Sequence, residues 1–126
     1  GVSEDQAHSI KTRYGLEKSK KQVEITEAAD VELKKLVVEI RKVIRYFTDR
    51  NNDDTAAVGQ IIILGGGANL PGLAGYITEK TRVATRLCSP WNNLEFGKLQ
   101  PPHELETTLY TTASGLALVT PQELAK

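Results

Sequence analysis

Methionine is missing from the 126 residues, cysteine occurs once, and aromatic residues make up only 6% of the chain. A lone Cys88 forms no internal disulfide, no Asn-x-Ser/Thr acceptor is present, and the first residues carry no signal-like apolar segment. A reducing, cytoplasmic compartment is therefore the expectation. No apolar run approaches the length needed to span a bilayer. An excess of either charge is lacking as well: sixteen Lys and Arg offset sixteen Asp and Glu, so no general field draws the chain to nucleic acid. Two scattered histidines and one cysteine make no metal constellation, and neither Ser89 nor Ser114 has a histidine at a telling local spacing. The absence of methionine, with Gly1-Val2-Ser3 running straight into a helix signal, suggests a piece of a longer protein.

What remains is an ordinary globular composition, 40% apolar and 25% charged, enough for one modest core in a single unit or two small lobes. Charge is spread unevenly, with 11 basic and 11 acidic residues in Gly1 to Asp54 and only 5 of each beyond. The polar cluster Asp49-Arg50-Asn51-Asn52-Asp53-Asp54-Thr55 falls at that change and reads as an exposed connector. The expected division is a helix-rich lobe over 1–56 and an α/β lobe over 57–126. In the first lobe, Ser3 and Gln6 form a capping-box pattern and Gly15 a C-terminal cap, which predicts a helix from Glu4 to Tyr14. Leu33, Leu36, Val37, Ile40, Val43, Ile44 and Phe47 recur at three- and four-residue steps. They predict a helix from about Glu27 to Asp49 whose apolar stripe covers its own lobe. Lys35, Glu39 and Lys42 lie opposite at salt-bridge spacing and read as a solvated face.

The second lobe opens on the run Ile61-Ile62-Ile63-Leu64-Gly65-Gly66-Gly67-Ala68-Asn69-Leu70-Pro71-Gly72-Leu73. Four apolar residues, three glycines and a proline predict a strand covered on both faces that turns sharply into a helix of about Pro71 to Thr81. Glycines let a backbone come close to a ligand, and a helix N-terminus adds unpaired N–H groups and a positive dipole end, which together suit a nucleotide. Leu70 stands where a dinucleotide fingerprint needs its last glycine, and Leu73 where a Walker loop needs lysine, so neither of those loops is present. Val83 to Leu87 reads as a second strand, parallel to the first. Ser89-Pro90-Trp91-Asn92-Asn93 and Gln100-Pro101-Pro102-His103 read as loops. Leu105, Leu109, Ala113, Leu116 and Ala117 line one side of a final helix, whose small residues Ala113, Ser114, Gly115 and Ala117 would let it lie close to the sheet and which Pro121 should end. Trp91 reads as a cap on the sheet's open end in preference to a partner anchor. Asn69 and Asn92 read as turn residues, Cys88 as a small core residue and His103 as loop surface.

These motifs, in this order, resemble the actin-like ATPases. Ile61 to Leu73 is similar to their adenosine-contacting motif, Ala7-His8-Ser9-Ile10-Lys11 to the helix that carries an Ala-Glu-x-x-Lys pattern, and Thr111 to Leu118 to the C-terminal helix with Ala-x-Gly-Leu-Ala. Within that superfamily, Gly67 to Leu73, Ser89-Pro90-Trp91 and the final helix resemble the PilM-type proteins of type IV pilus assembly, relatives of the cell-division protein FtsA. The resemblance implies an α/β fold, half of an actin-like (ribonuclease H-like) ATPase, with a mixed sheet packed with helices plus a small helix-rich lobe. The lobe over 1–56 would correspond to subdomain 2B and 57–126 to the C-terminal part of subdomain 2A.

The same resemblance implies that Gly65, Gly66 and Gly67 lie against adenosine and that Lys11 lines the sugar and base side of the cleft. His8 replaces the glutamate that contacts ribose in the relatives. The phosphate hairpins and the acidic metal ligands would precede this portion, so the parent would bind ATP with Mg2+ while the fragment alone holds none stably. Catalytic residues are not expected here, and a weak ATPase is expected at most in the parent. The implied partners are the cytoplasmic tail of a PilN-type inner-membrane protein and other pilus-assembly proteins, with self-association also implied. No nucleic acid and no direct membrane insertion is expected, and the parent would work in the cytoplasm at the inner face of the inner membrane. The other readings are an FtsA-like cell-division fragment, and a protein-interaction module whose glycine turn binds no nucleotide. A sugar or acetate kinase half would need catalytic carboxylates that the chain does not show.

Overall fold

The computed structural model describes residues 2–50, 57–101 and 103–119. The chain forms two compact units, one of residues 1–61 with 70–86 and one of residues 62–69 with 87–126. Residues 51–55 of the expected polar connector, Pro102 and the helix stop Pro121 lie outside the described residues.

In the first unit, α1 runs Glu4–Tyr14 and both halves of its capping box form. Gln6 N–H donates to Ser3 Oγ at 3.3 Å, and Ser3 N–H to Gln6 Oε1 at 3.1 Å, so two helix-end donors are satisfied reciprocally. Gly15 closes the helix, its N–H donating to Lys11 O at 3.0 Å. Helix α2 runs Gln22–Arg50 and so begins five residues earlier than the apolar stripe alone predicts. Ser19 and Leu16 account for the earlier start: Gln22 N–H donates to Ser19 O at 3.2 Å, and its side-chain amide to Leu16 O at 2.9 Å. Helix α3, Leu73–Thr81, packs on α2, and the buried residues of the pair are Leu33 and Val37 on one helix and Leu73 and Ile77 on the other. Further along α2 the predicted stripe comes to the surface, with Val43 67% exposed and Phe47 exposed too, so only its first half covers the lobe.

Pro71 is not the first residue of α3, as expected, but precedes its cap. Its carbonyl accepts Leu16 N–H at 2.7 Å, and Gly72 takes the cap position at φ +79°. Arg82 ends the helix in the left-handed region at φ +62°, with its N–H on Thr78 O. Val83 N–H then bonds Thr81 Oγ1 and Thr85 Oγ1 bonds the Val83 carbonyl, a local turn that delays the second strand to Thr85. Ion pairs on these helices are exposed: Asp30 with Lys34 at 2.7 Å, and Glu79 with Lys80 at 2.8 Å. The hydrogen bond and charge of Asp30 hold the Lys34 ammonium above its ordinary pKa, and Glu79 does the same for Lys80 while its own is lowered. Such surface pairs add little stability. The Arg41 guanidinium donates to the Lys80 carbonyl at the end of α3.

The sheet is one two-stranded pair, β1 (Ile61–Ile63) with β2 (Thr85–Leu87), among the described residues. Ile61 N–H donates to Ala84 O and Cys88 N–H to Ile63 O, both at 2.8 Å, which sets the strands parallel. The larger mixed sheet implied by resemblance is thus reduced to this pair. Burial on both faces does not hold either, because Ile62 and Leu64 are exposed while Ile61 and Ile63 are half-covered. Two strands with a single crossover helix have only one face to cover.

In the second unit, residues Gly66–Asn69, Pro90–Asn93 and Glu104–Tyr110 form 3₁₀ turns, and α4 spans Thr111–Leu118. The expected final helix is therefore 3₁₀ for its first seven residues and α-helical only after Tyr110. A tighter turn rotates each successive side chain differently from the 3.6 period, and the predicted apolar face is lost. Leu109 and Leu116 are exposed, as are Ala113 and Ala117, whereas Thr108 and Ser114 are buried. The Leu105 side chain lies outside what is described. The principal contacts of α4 are with the 90–93 and 104–110 turns. No helix among the described residues is long and apolar enough to cross a membrane.

Candidate functional site

The glycine bend follows β1 in the second unit. Gly65 sits at φ +87°, and the chain then tightens into the 3₁₀ turn Gly66–Asn69, closed by Ala68 N–H on Gly65 O at 3.0 Å. Apolar Ala68 is the buried residue of that turn. Thr108 fixes the bend from the other side. Its carbonyl accepts Gly65 N–H at 3.1 Å, its hydroxyl donates to Gly65 O at 3.0 Å, and the same Oγ1 lies 2.8 Å from Asn69 Oδ1. At 2% exposed, Thr108 is the most deeply covered polar residue described in this unit.

Around the bend the space is uneven. A side chain on Gly66 would meet Leu109 Cδ2 at 3.3 Å, while among the described residues nothing beyond the chain neighbours lies within 4 Å of a Cβ on Gly65 or Gly67. Main-chain atoms at Gly67 can therefore be approached closely by another molecule, which is what a missing side chain provides. Gly65→Ala should cost about 1–3 kcal/mol for its positive φ alone, whereas Gly67→Ala should leave stability unchanged. Thermal melts of the two variants measure the difference, and equal melting points would show that the bend relaxes freely.

His8 and Lys11 share one face of α1 in the first unit, and both are exposed. The His8 carbonyl accepts Thr12 Oγ1–H at 2.9 Å. Lys11 borders a groove of about 320 Å³ with an apolar floor that includes Ala7, Ile10, Ile25 and Ala28, and the pair Lys21 and Glu24, 3.5 Å apart, lies at its rim. Gly65, Gly66 and Gly67 thus stand together in one unit, and Lys11 with His8 in the other.

The remaining residues singled out by the sequence are used locally. Trp91 packs edge-to-face on Phe96, with ring centres 5.3 Å apart, and tilted on Tyr110 at 5.9 Å, while its indole N–H donates to Thr107 Oγ1 at 3.2 Å. The tryptophan is held inside its own unit by three partners. Asn92 serves its turn by accepting Ser89 Oγ–H at 3.0 Å, and Asn69 serves the glycine bend. Cys88 is half-buried beside β1, and His103 is exposed. No three His, Cys, Asp or Glu side chains converge on a common point among the described residues. Thr108 is the residue that sequence reading missed. A single threonine among Thr107, Thr111 and Thr112 has no periodic signature, and only its distant partner Gly65 sets it apart.

No curated protein matches the chain. The family model described as type IV pilus assembly protein PilM matches residues 1–120, and the chain belongs to that family.

Proposed function

We infer that this chain supplies the adenosine side of a nucleotide cleft in an actin-like platform protein of type IV pilus assembly. The observation that carries the reading is the glycine bend: a positive-φ Gly65 joined to Thr108 by two bonds, followed by Gly67, whose missing side chain meets none of the described residues beyond its chain neighbours within 4 Å. A backbone so fixed and so open offers donors to a base or sugar without reorganisation. The phosphate hairpins and the acidic groups that hold magnesium would come from polypeptide outside this chain, which accordingly carries no catalytic residue of its own.

The mechanism in this reading is conformational. ATP bound between the halves of the longer protein favours one relative arrangement, and that arrangement grips the cytoplasmic tail of a PilN-type inner-membrane partner at the inner face of the membrane. Nucleotide shifts the balance only to the extent that it binds one arrangement better than the other. Isothermal titration of ATP with magnesium into the longer protein should give saturable heat, and Gly67→Val should abolish it while leaving the melting point in place. Gly67 is the cleaner position because a side chain on Gly66 also disturbs Leu109. Absence of saturable heat in the unaltered longer protein would overturn the nucleotide reading and leave an interaction module with a structural turn.

A further inference from the structure

We propose that Thr108 is a positioning residue for the nucleotide site, holding the glycine bend in its ligand-receiving form through its hydroxyl. The proposal rests on the nucleotide reading above and adds to it the group that gives the bend its shape.

The argument starts from Gly65. A glycine at φ +87° has open space around it, so its conformation is not imposed by packing against a side chain there. Free glycine spans positive and negative φ with little preference, and an unrestrained bend would sample many directions for the amides of Gly66 and Gly67. Both polar groups of Gly65 are instead bonded to one residue, the N–H to the Thr108 carbonyl and the carbonyl to the Thr108 hydroxyl. One residue thus holds the two peptide units that flank the Gly65 Cα, which restrains both of its backbone torsions. The same hydroxyl oxygen lies 2.8 Å from Asn69 Oδ1 at the far end of the turn, so its single proton is shared between two acceptors and one side chain spans the bend from its first residue to its last. Thr108 is itself anchored: it is 2% exposed, and its carbonyl also accepts the Thr111 hydroxyl at 3.1 Å, just where the 3₁₀ turn passes into α4. A buried hydroxyl of this kind must be bonded, and among the described residues its partners are Gly65 O and Asn69 Oδ1, both in the bend.

Removing the hydroxyl while keeping the shape separates this role from simple packing. In Thr108→Val the Gly65 carbonyl loses the Thr108 hydroxyl and keeps only Ala68 N–H, and of the two bonds between Thr108 and Gly65 only the one from the Gly65 N–H remains. Thr108→Ser keeps the hydroxyl and gives up a methyl. In this chain, hydrogen exchange of the Gly65 to Ala68 amides should speed up about tenfold in Thr108→Val and stay near wild type in Thr108→Ser, with α1 and α2 unchanged, given one hydrogen bond of ordinary strength. In the longer protein the Kd for ATP should rise about tenfold with Val and be restored by Ser. Should the valine variant unfold, Thr108→Cys, with its weaker donor, is expected to fall between Ser and wild type on one side and loss on the other.

Exchange in Thr108→Val indistinguishable from wild type would overturn the proposal, and so would serine behaving as badly as valine, which would assign the effect to the methyl group. Unaltered longer protein that binds no ATP would sink the nucleotide reading and this proposal with it. Wild type that binds ATP with a valine variant of equal affinity would sink the positioning role alone.

Discussion

Gly15→Ala should unfold the first unit at temperatures where the unaltered chain is intact. Gly15 adopts φ +48° and ψ −133°, a region that turns reserve for glycine, and a side chain there carries strain of about 1–3 kcal/mol before any contact is counted. The contacts are worse. An added Cβ would lie 2.4 Å from the Pro71 carbonyl oxygen, 2.7 Å from Pro71 Cδ and 2.8 Å from Pro71 N. Two of these are backbone atoms and the third belongs to a closed ring, so none can swing aside. The Leu16 N–H to Pro71 O bond, 2.7 Å long, must then lengthen or break. A matching restriction exists on the other strand of this crossing, because a Cβ on Gly72 would come within 2.8 Å of Leu16 C and Glu17 N. The two glycines make room for each other's neighbours, and the crossing of the segment after α1 with the segment before α3 depends on both. The summed effect should exceed about 3 kcal/mol, near the upper end for single substitutions. At about 4–8 °C per kcal/mol for a unit of this size, the melting point should fall by tens of degrees or the transition should vanish. Gly75→Ala is the matched control: it lies inside α3 with nothing within 4 Å, and should stabilise by up to about 1 kcal/mol. Calorimetry on the three chains decides the matter, and a Gly15→Ala melt within a few degrees of wild type would show that the crossing is not rigid.

That crossing was only partly legible in the sequence. Gly15 announced itself as a helix stop and Pro71 as a helix start, and both readings followed from local rules. What local rules do not contain is the meeting of Gly15 with Pro71, fifty-six positions apart. The capping box at Ser3 and Gln6 was fully readable, because every group it joins lies within one helical turn. The α2 stripe was readable as a period and misleading as a core: Leu33 and Val37 are covered by α3, but α3 is only nine residues long and covers no more of a 29-residue helix than its own length allows. The final segment was misread for a different reason. Its leucines recur at helical spacing, yet Glu104–Tyr110 winds as 3₁₀, and the side that turns inward carries Thr108 and later Ser114. At the glycine bend the sequence announced a sharp turn after the strand, and that turn forms. The sequence could not show the hydroxyl that shapes the bend, since a hydrogen bond over 43 positions leaves no pattern in either partner's neighbourhood.

Ile77→Ala should be the most damaging truncation in the first unit's core. Ile77 is 1% exposed, the lowest value among the chain's described apolar residues, and it stands one helical turn from Leu73 on the face of α3 that meets α2. Opposite it, Leu33 and Val37 are also one turn apart, so four side chains at i and i+4 spacing account for the buried contact of the two helices. With so small a core, the carbons removed cannot be replaced by inward movement of neighbours: α3 is held at its first turn by the Gly72 crossing and at its last by the Arg41 guanidinium on the Lys80 carbonyl. A site unable to collapse keeps its cavity, and the cost should approach the upper part of the range of about 2–5 kcal/mol for such changes. Ile77→Val, which removes one methyl group, should cost about 0.5–1.5 kcal/mol, and Val43→Ala, at a residue 67% exposed, almost nothing. Denaturant melts should order the variants Val43→Ala, Ile77→Val, Ile77→Ala by falling midpoint with a common slope. If Val43→Ala proved as costly as Ile77→Ala, the second half of the α2 stripe would have to be covered in solution, and the α2 and α3 contact would not be the centre of this unit's stability.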